Sequence, residues 1–158
     1  ENLNYKYIID GDKSLSGTVA SFNSETDEVT LLLYKEGDRE NAYKTTVTGN
    51  SADYAFEKIA EGEYILEVSK ANHATRFYEV TVGAEEATQD AKIHLIGDIN
   101  GDGKVMITDY NTVLRHVKKT EFLEGYALAC ADVSGDGRVM ITDYNAILRH
   151  VKKISSLW

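Results

Sequence analysis

The sequence predicts a multidomain chain: an all-β sandwich over residues 1–96, then an all-α domain of two loop–helix repeats over residues 97–158. Three observations carry that prediction. Short runs of β-branched and aromatic residues alternate with turn residues in the first half. The second half writes one segment twice, GDGKVMITDYNTVLRHVKK from Gly101 and GDGRVMITDYNAILRHVKK from Gly135, with three differences in nineteen positions. The charge also breaks near Gly97, with 18 acids against 9 bases before it and 8 against 8 from it onward.

In chain order, the strands are expected at VTLLLYKEG (Val29 to Gly37), YKTTVTG (Tyr43 to Gly49), EYILEVSK (Glu63 to Lys70) and FYEVTVG (Phe77 to Gly83). Tyr64, Leu66 and Val68 alternate onto one face, as do Tyr78, Val80 and Val82. Gly, Asn and Asp clusters separate the runs at EGDREN, GNSAD and AEG, and strands at this spacing make a sandwich. A last strand is expected at AKIHLIG (Ala91 to Gly97), running straight into the first repeat. Within YAFEKIAEGEYILEVSKANH, the residues Tyr54, Phe56, Ile59, Gly62, Tyr64, Leu66 and Val68 resemble the signature of carboxypeptidase-regulatory-like domains. That resemblance implies a small prealbumin-like or Ig-like sandwich and no activity.

Composition narrows the function classes. No run of about 18 apolar residues exists, so no membrane insertion is expected. No secretory signal is visible, and residue 1 is expected to begin a mature or excised fragment. The single cysteine, Cys130, rules out an internal disulfide and is expected to pack as a small hydrophobe. A net charge of −9 without a basic patch argues against nucleic acid as a partner.

The repeats align at an offset of 34 residues, and each opens with oxygen-bearing residues at fixed spacing. Asp98, Asn100, Asp102, Gly103 and Asp109 occupy positions 1, 3, 5, 6 and 12 of an EF-hand loop, and so do Asp132, Ser134, Asp136, Gly137 and Asp143. Alternate residues turn their oxygens toward one point, and glycine at position 6 permits the sharp bend. The carbonyls of Lys104 and Arg138 at position 7 add a ligand each. A hard cation with many oxygen ligands fits, so two Ca²⁺ ions are expected, with their binding driving the folding of this half. Position 12 is Asp where Glu is common, one methylene shorter.

Each loop runs into a helix. Thr108 and Thr142 are expected as N-caps. Tyr110, Val113, Leu114 and Val117 fall on one apolar face, as do Tyr144, Ile147, Leu148 and Val151, with Phe122, Leu123, Tyr126 and Leu128 completing the core. The opposite faces carry Ile107, Thr108, Asn111, Arg115, Lys118 and Lys119, and their twins Ile141, Thr142, Asn145, Arg149, Lys152 and Lys153. Neither metal nor core requires those faces to match, so both are expected to bind a partner. His116 and His150 beside the arginines are expected to be solvated. His73 and His94 show no pattern of metal binding or catalysis.

The absence of a helix before the first loop and the closing Asp make residues 97–158 resemble dockerin domains, and the whole resemble an X-module–dockerin pair of scaffoldin C-termini. The resemblance implies a calcium-dependent, secreted or cell-surface bacterial adaptor. Its partner would be a cohesin module, and it would assemble an extracellular polysaccharide-degrading complex such as a cellulosome, with the X module stabilising or extending it. It also implies that Ile107–Thr108, Ile141–Thr142, Arg115 and Arg149 contact cohesin. An Ile in that pair, more often Ser or Thr in the family, implies an apolar anchor and a different specificity. Alternatives are a calcium sensor, which would want entering helices and more methionine than Met106 and Met140, and a carbohydrate-binding sandwich. No nucleophile–base pair, catalytic metal site or phosphate loop is visible, so no enzyme is expected.

Overall fold

The computed structural model describes residues 11–158; residues 1–10 of the predicted sandwich lie outside the described residues. The chain resolves into two compact units. The first comprises the described residues through Ala20 with Ser24–Lys70 and Arg76–Lys92, and the second comprises Ser21–Asn23, Ala71–Thr75 and Ile93–Trp158.

The first unit is built from two sheets. One has the strand order β3–β2–β5–β6, formed by Tyr43–Thr48, Glu28–Tyr34, Gly62–Ser69 and Arg76–Val82, all antiparallel. In the other, β1 (Lys13–Ala20) pairs antiparallel with β4 (Ser51–Ile59) and parallel with the two-residue strands β7 (Ala87–Thr88) and β8 (Ala91–Lys92). The predicted strands correspond to β2, β3, β5 and β6. Tyr64, Leu66 and Val68 are buried together, as the alternation required, with Val29, Leu31 and Leu33 of β2 beside them. Leu15, Val19, Tyr54 and Phe56 supply the other sheet's buried face, and each such side chain contributes about 1.5–3 kcal/mol by leaving water.

Gly17 shows why β1 tolerates no side chain at its centre. A Cβ there would stand 2.2 Å from the Gln89 carbonyl oxygen, the atom that accepts the Tyr54 hydroxyl proton. AKIHLIG is a strand over Ala91–Lys92 alone; beyond it Leu95 makes a single antiparallel bridge to His73.

The second unit holds three helices: α1 (Ile107–Val117), α2 (Tyr126–Ala131) and α3 (Ile141–Val151). Val113 and Ile147 are fully buried at the centre of a small core with Val105 and Ala131. Tyr110 and Tyr144 meet edge to face above it, ring centroids 5.7 Å apart. Phe122 departs from expectation. It is 69% exposed and lies edge-on to His116, because the chain leaves α1 in a left-handed turn at Lys119 that points it outward. Cys130 is buried beside His94, its sulfur 3.7 Å from Nδ1.

Candidate metal loops and helix faces

The two loops repeat one hydrogen-bond plan. In the first, Asp98 accepts the amides of Gly101 and Asp102 on Oδ1 (2.9 and 3.2 Å) and that of Gly103 on Oδ2 (2.8 Å). In the second, Asp132 accepts Gly135 and Asp136 on Oδ1 (3.0 and 3.3 Å) and Gly137 on Oδ2 (2.8 Å). The amides of Lys104 and Arg138 donate to the position-5 carboxylates Asp102 and Asp136, at 3.0 and 2.9 Å. Gly103 and Gly137 share φ +85°, a left-handed bend that glycine adopts without strain.

The closing carboxylates tie each loop to its helix. Asp109 accepts Ile99 and Asn100 on Oδ1 (2.8 and 3.4 Å) and Met106 on Oδ2 (2.9 Å); Asp143 accepts Ser134 (3.1 Å) and Met140 (2.7 Å). Met106 and Met140 are the N-caps, so Thr108 and Thr142 lie inside the first turn and do not cap. The physical reason is the aspartate at the third helical position, whose carboxylate already satisfies the amide a helix start leaves open.

The donor chemistry suits a hard cation. Carboxylate oxygens of Asp132, Asp136 and Asp143 all lie within 4.8 Å of one another. In the first loop Asp98 and Asp109 are buried, at 0% and 1% exposure, with Asn100 at position 3 bonded to Asp102. Burial pushes both carboxyls up, against the pull of the loop amides, and for Asp109 the nearby Asp98 pushes the same way. A cation among these oxygens would relieve both burial and repulsion. Asp136, in contrast, is held low mainly by the Arg138 amide.

The twelve residues expected to face a partner are all exposed, Ile107 and Ile141 at 47% and 53%. They form one strip along α1 and its exit and a matching strip along α3 and its exit. Between the ends of these helices, Met106, His150, Lys153 and Ile154 line an open groove of about 760 Å³.

Residues 96–152 match the family model of the dockerin type I domain, and residues 13–96 match that of the second beta sandwich domain of BOS complex subunit NOMO1-like proteins. The chain is a β-sandwich–dockerin pair. Over more than half its length it belongs to the NOMO1-like β-sandwich family, and the loop–helix repeats fall within the dockerin match. No curated protein matches. Among the solved structures that resemble it are an N-terminal and a C-terminal interface mutant of the type II cohesin–X-dockerin complex from Acetivibrio cellulolyticus. Each is 14% identical, covering 87% of this chain and 94% of that one, with TM-scores of 0.42 and 0.41.

Dockerin modules bind calcium and are not themselves catalytic. In this dockerin the exits of α1 and α3 are as alike as the loops, which the sequence reading missed. Lys119 and Lys153 take φ +63° and +60°, and the next amides, of Thr120 and Ile154, reach back to the Arg115 and Arg149 carbonyls (3.0 and 2.8 Å). His116 Nδ1 then accepts the Leu123 amide (2.9 Å), and His150 Nδ1 that of Leu157 (3.2 Å). These histidines fasten the chain after each helix and are half-buried, where solvated side chains were expected. The matching XLRHVKK segments and the leucine seven residues after each histidine were the available signal. His73 and His94 are structural too: His73 accepts the Phe22 amide (3.0 Å), and the His94 ring packs on Tyr126 at 5.0 Å.

Proposed function

We propose that this chain is a calcium-dependent adaptor whose dockerin, over residues 97–158, binds a cohesin module to assemble or anchor an extracellular polysaccharide-degrading complex. Residues 1–96 act as an X module that stabilises or extends it. Two Ca²⁺ ions bind. One is held by Asp98, Asn100, Asp102, the Lys104 carbonyl and Asp109, the other by Asp132, Ser134, Asp136, the Arg138 carbonyl and Asp143. The ions brace the loops; α1 and α3 make the contact, and the setting is outside the cell or on its surface. No helix among the described residues is long and apolar enough to cross a membrane.

The observation that carries this reading is the pair of matching strips, exposed in both copies where neither core nor metal uses them. Because Ile107, Thr108, Asn111 and Arg115 recur as Ile141, Thr142, Asn145 and Arg149, a half-turn of the dockerin presents the same groups, so binding has two modes. The sandwich favours carbohydrate less: Tyr34, Tyr54 and Tyr64 are buried with their hydroxyls engaged by Glu67, Gln89 and Ala60. Calorimetry against a panel of cohesin modules, with calcium and with chelator, tests the proposal. Binding in calcium alone is expected; no binding to any cohesin would move the reading to a carbohydrate-binding or sensor module.

A further inference from the structure

The two faces match in sequence along the helices and diverge just past them. Arg115 is held by its own helix exit: its Nε donates to Glu121 Oε2 at 2.6 Å, and Nη2 donates to Thr112 Oγ1 at 3.3 Å. At the 34-residue offset, Glu121 becomes Ser155 and Thr112 becomes Ala146. The backbone is the same at both places, since the Glu121 and Ser155 amides point to the Arg115 and Arg149 carbonyls at 3.4 and 3.3 Å. What differs is the side chain that meets the guanidinium. Among the described residues Arg149 enters no ion pair.

The charge follows the same division. Residues 107–124 carry three bases and three acids, whereas residues 141–158 carry three bases and one acid, the buried Asp143. An acidic patch on a partner therefore meets net +2 on α3 and net zero on α1. We propose that the two docking modes are unequal: the α3 face is the stronger site for a cohesin surface bearing carboxylates, and Glu121 occupies the arginine that would make the α1 face its equal. This inference rests on the adaptor reading. Docking through α1 must first release Arg115 from Glu121. An exposed pair of this kind is worth up to about 1 kcal/mol, so the handicap reaches about 5-fold from the pair alone. The partner carboxylate also approaches Glu121, and that like-charge approach adds to the handicap.

The test uses the full calcium-loaded chain and a cohesin module that binds it, with affinities from calorimetry. Arg149→Ala is expected to weaken binding about 10-fold or more, and Arg115→Ala less than about 3-fold. Glu121→Ser in the Arg149→Ala background is expected to restore most of the loss, and Ser155→Glu alone to reproduce part of it. These positions are exposed, so folding is checked simply by an unchanged helical circular-dichroism signal. Equal losses from the two alanine variants, or no rescue by Glu121→Ser, overturn the inequality and leave the adaptor standing. Failure of the unmodified chain to bind any cohesin overturns both.

Discussion

Asp109 joins metal loop and helix in one side chain. One oxygen gathers the amides of Ile99 and Asn100, the other that of Met106, so removing the carboxylate opens the loop and strips the helix start together. Asp109→Ala is expected to weaken calcium binding in the first loop by at least about 10-fold while the second loop titrates as before, resolved by calcium calorimetry. This pairing was legible because all its partners lie within twelve residues; the capping part was misread at Thr108 because a hydroxyl is the commoner cap. Glu67 was not legible. Its carboxylate is buried on β5 and receives Arg39 Nε and Nη2 and the Tyr34 hydroxyl, each at 2.8 Å, from residues 28 and 33 positions away. The Arg39 guanidinium first, and the Tyr34 hydroxyl, hold it below the ordinary carboxylate value of 4.5 against the opposing effect of burial. A carboxyl lowered by folding stabilises the fold above its unfolded value, and that stability is lost as pH falls through the folded one. Urea denaturation of the sandwich is therefore expected to show a loss beginning below about pH 4.5 that Glu67→Gln lacks, with Glu67→Gln itself costing about 1–3 kcal/mol at pH 7.

At the scale of elements, β2, β3, β5 and β6 were readable because their buried residues alternate cleanly. The strands β1 and β4 were not, since KSLSGTVA has small polar residues and a glycine at its middle, and SADYAFEKI carries charge on its outer face. Their pairing is set by the close approach at Gly17 and the Leu15–Phe56 register, which no local pattern announces. Two-residue strands such as β7 and β8 leave no periodicity to detect. The helices were readable from period and repetition, but their exits depend on a left-handed residue that happens to be lysine. Left-handed lysine is strained where glycine is not, so Lys119→Gly is expected to raise the stability of the calcium-loaded dockerin by about 0.5–1 kcal/mol, measured by thermal melting. His150→Ala is expected to lower it by about 1 kcal/mol, because the Leu157 amide loses its acceptor.

For the whole molecule, repetition explains both what could be read and what could not. A 34-residue offset that preserves loop bonds, helix faces and exits was visible as duplicated letters; the charged break in the symmetry, Glu121 against Ser155, sits outside the duplicated segment and acquires meaning only through its distance to Arg115. No such duplication marks the sandwich. Charge supplies the remaining expectation. Residues 97–158 are neutral by count, and the two Ca²⁺ ions of the proposed adaptor would bring them to +4, with Arg149 exposed on α3 and Lys152 and Lys153 exposed just past its end. Association with an acidic partner face is then accelerated by long-range attraction, which salt screens, while an anchor at Ile107 or Ile141 is untouched by it. Raising sodium chloride from about 0.05 to 0.5 M shrinks the screening length to a few ångströms and is expected to slow association about 10-fold, with dissociation changed less than about 3-fold. Ile141→Ala should do the reverse, speeding dissociation and sparing the salt slope. Stopped-flow or surface-based kinetics at several salt concentrations measures both, and a salt-independent association rate would show that the basic faces do not meet the partner.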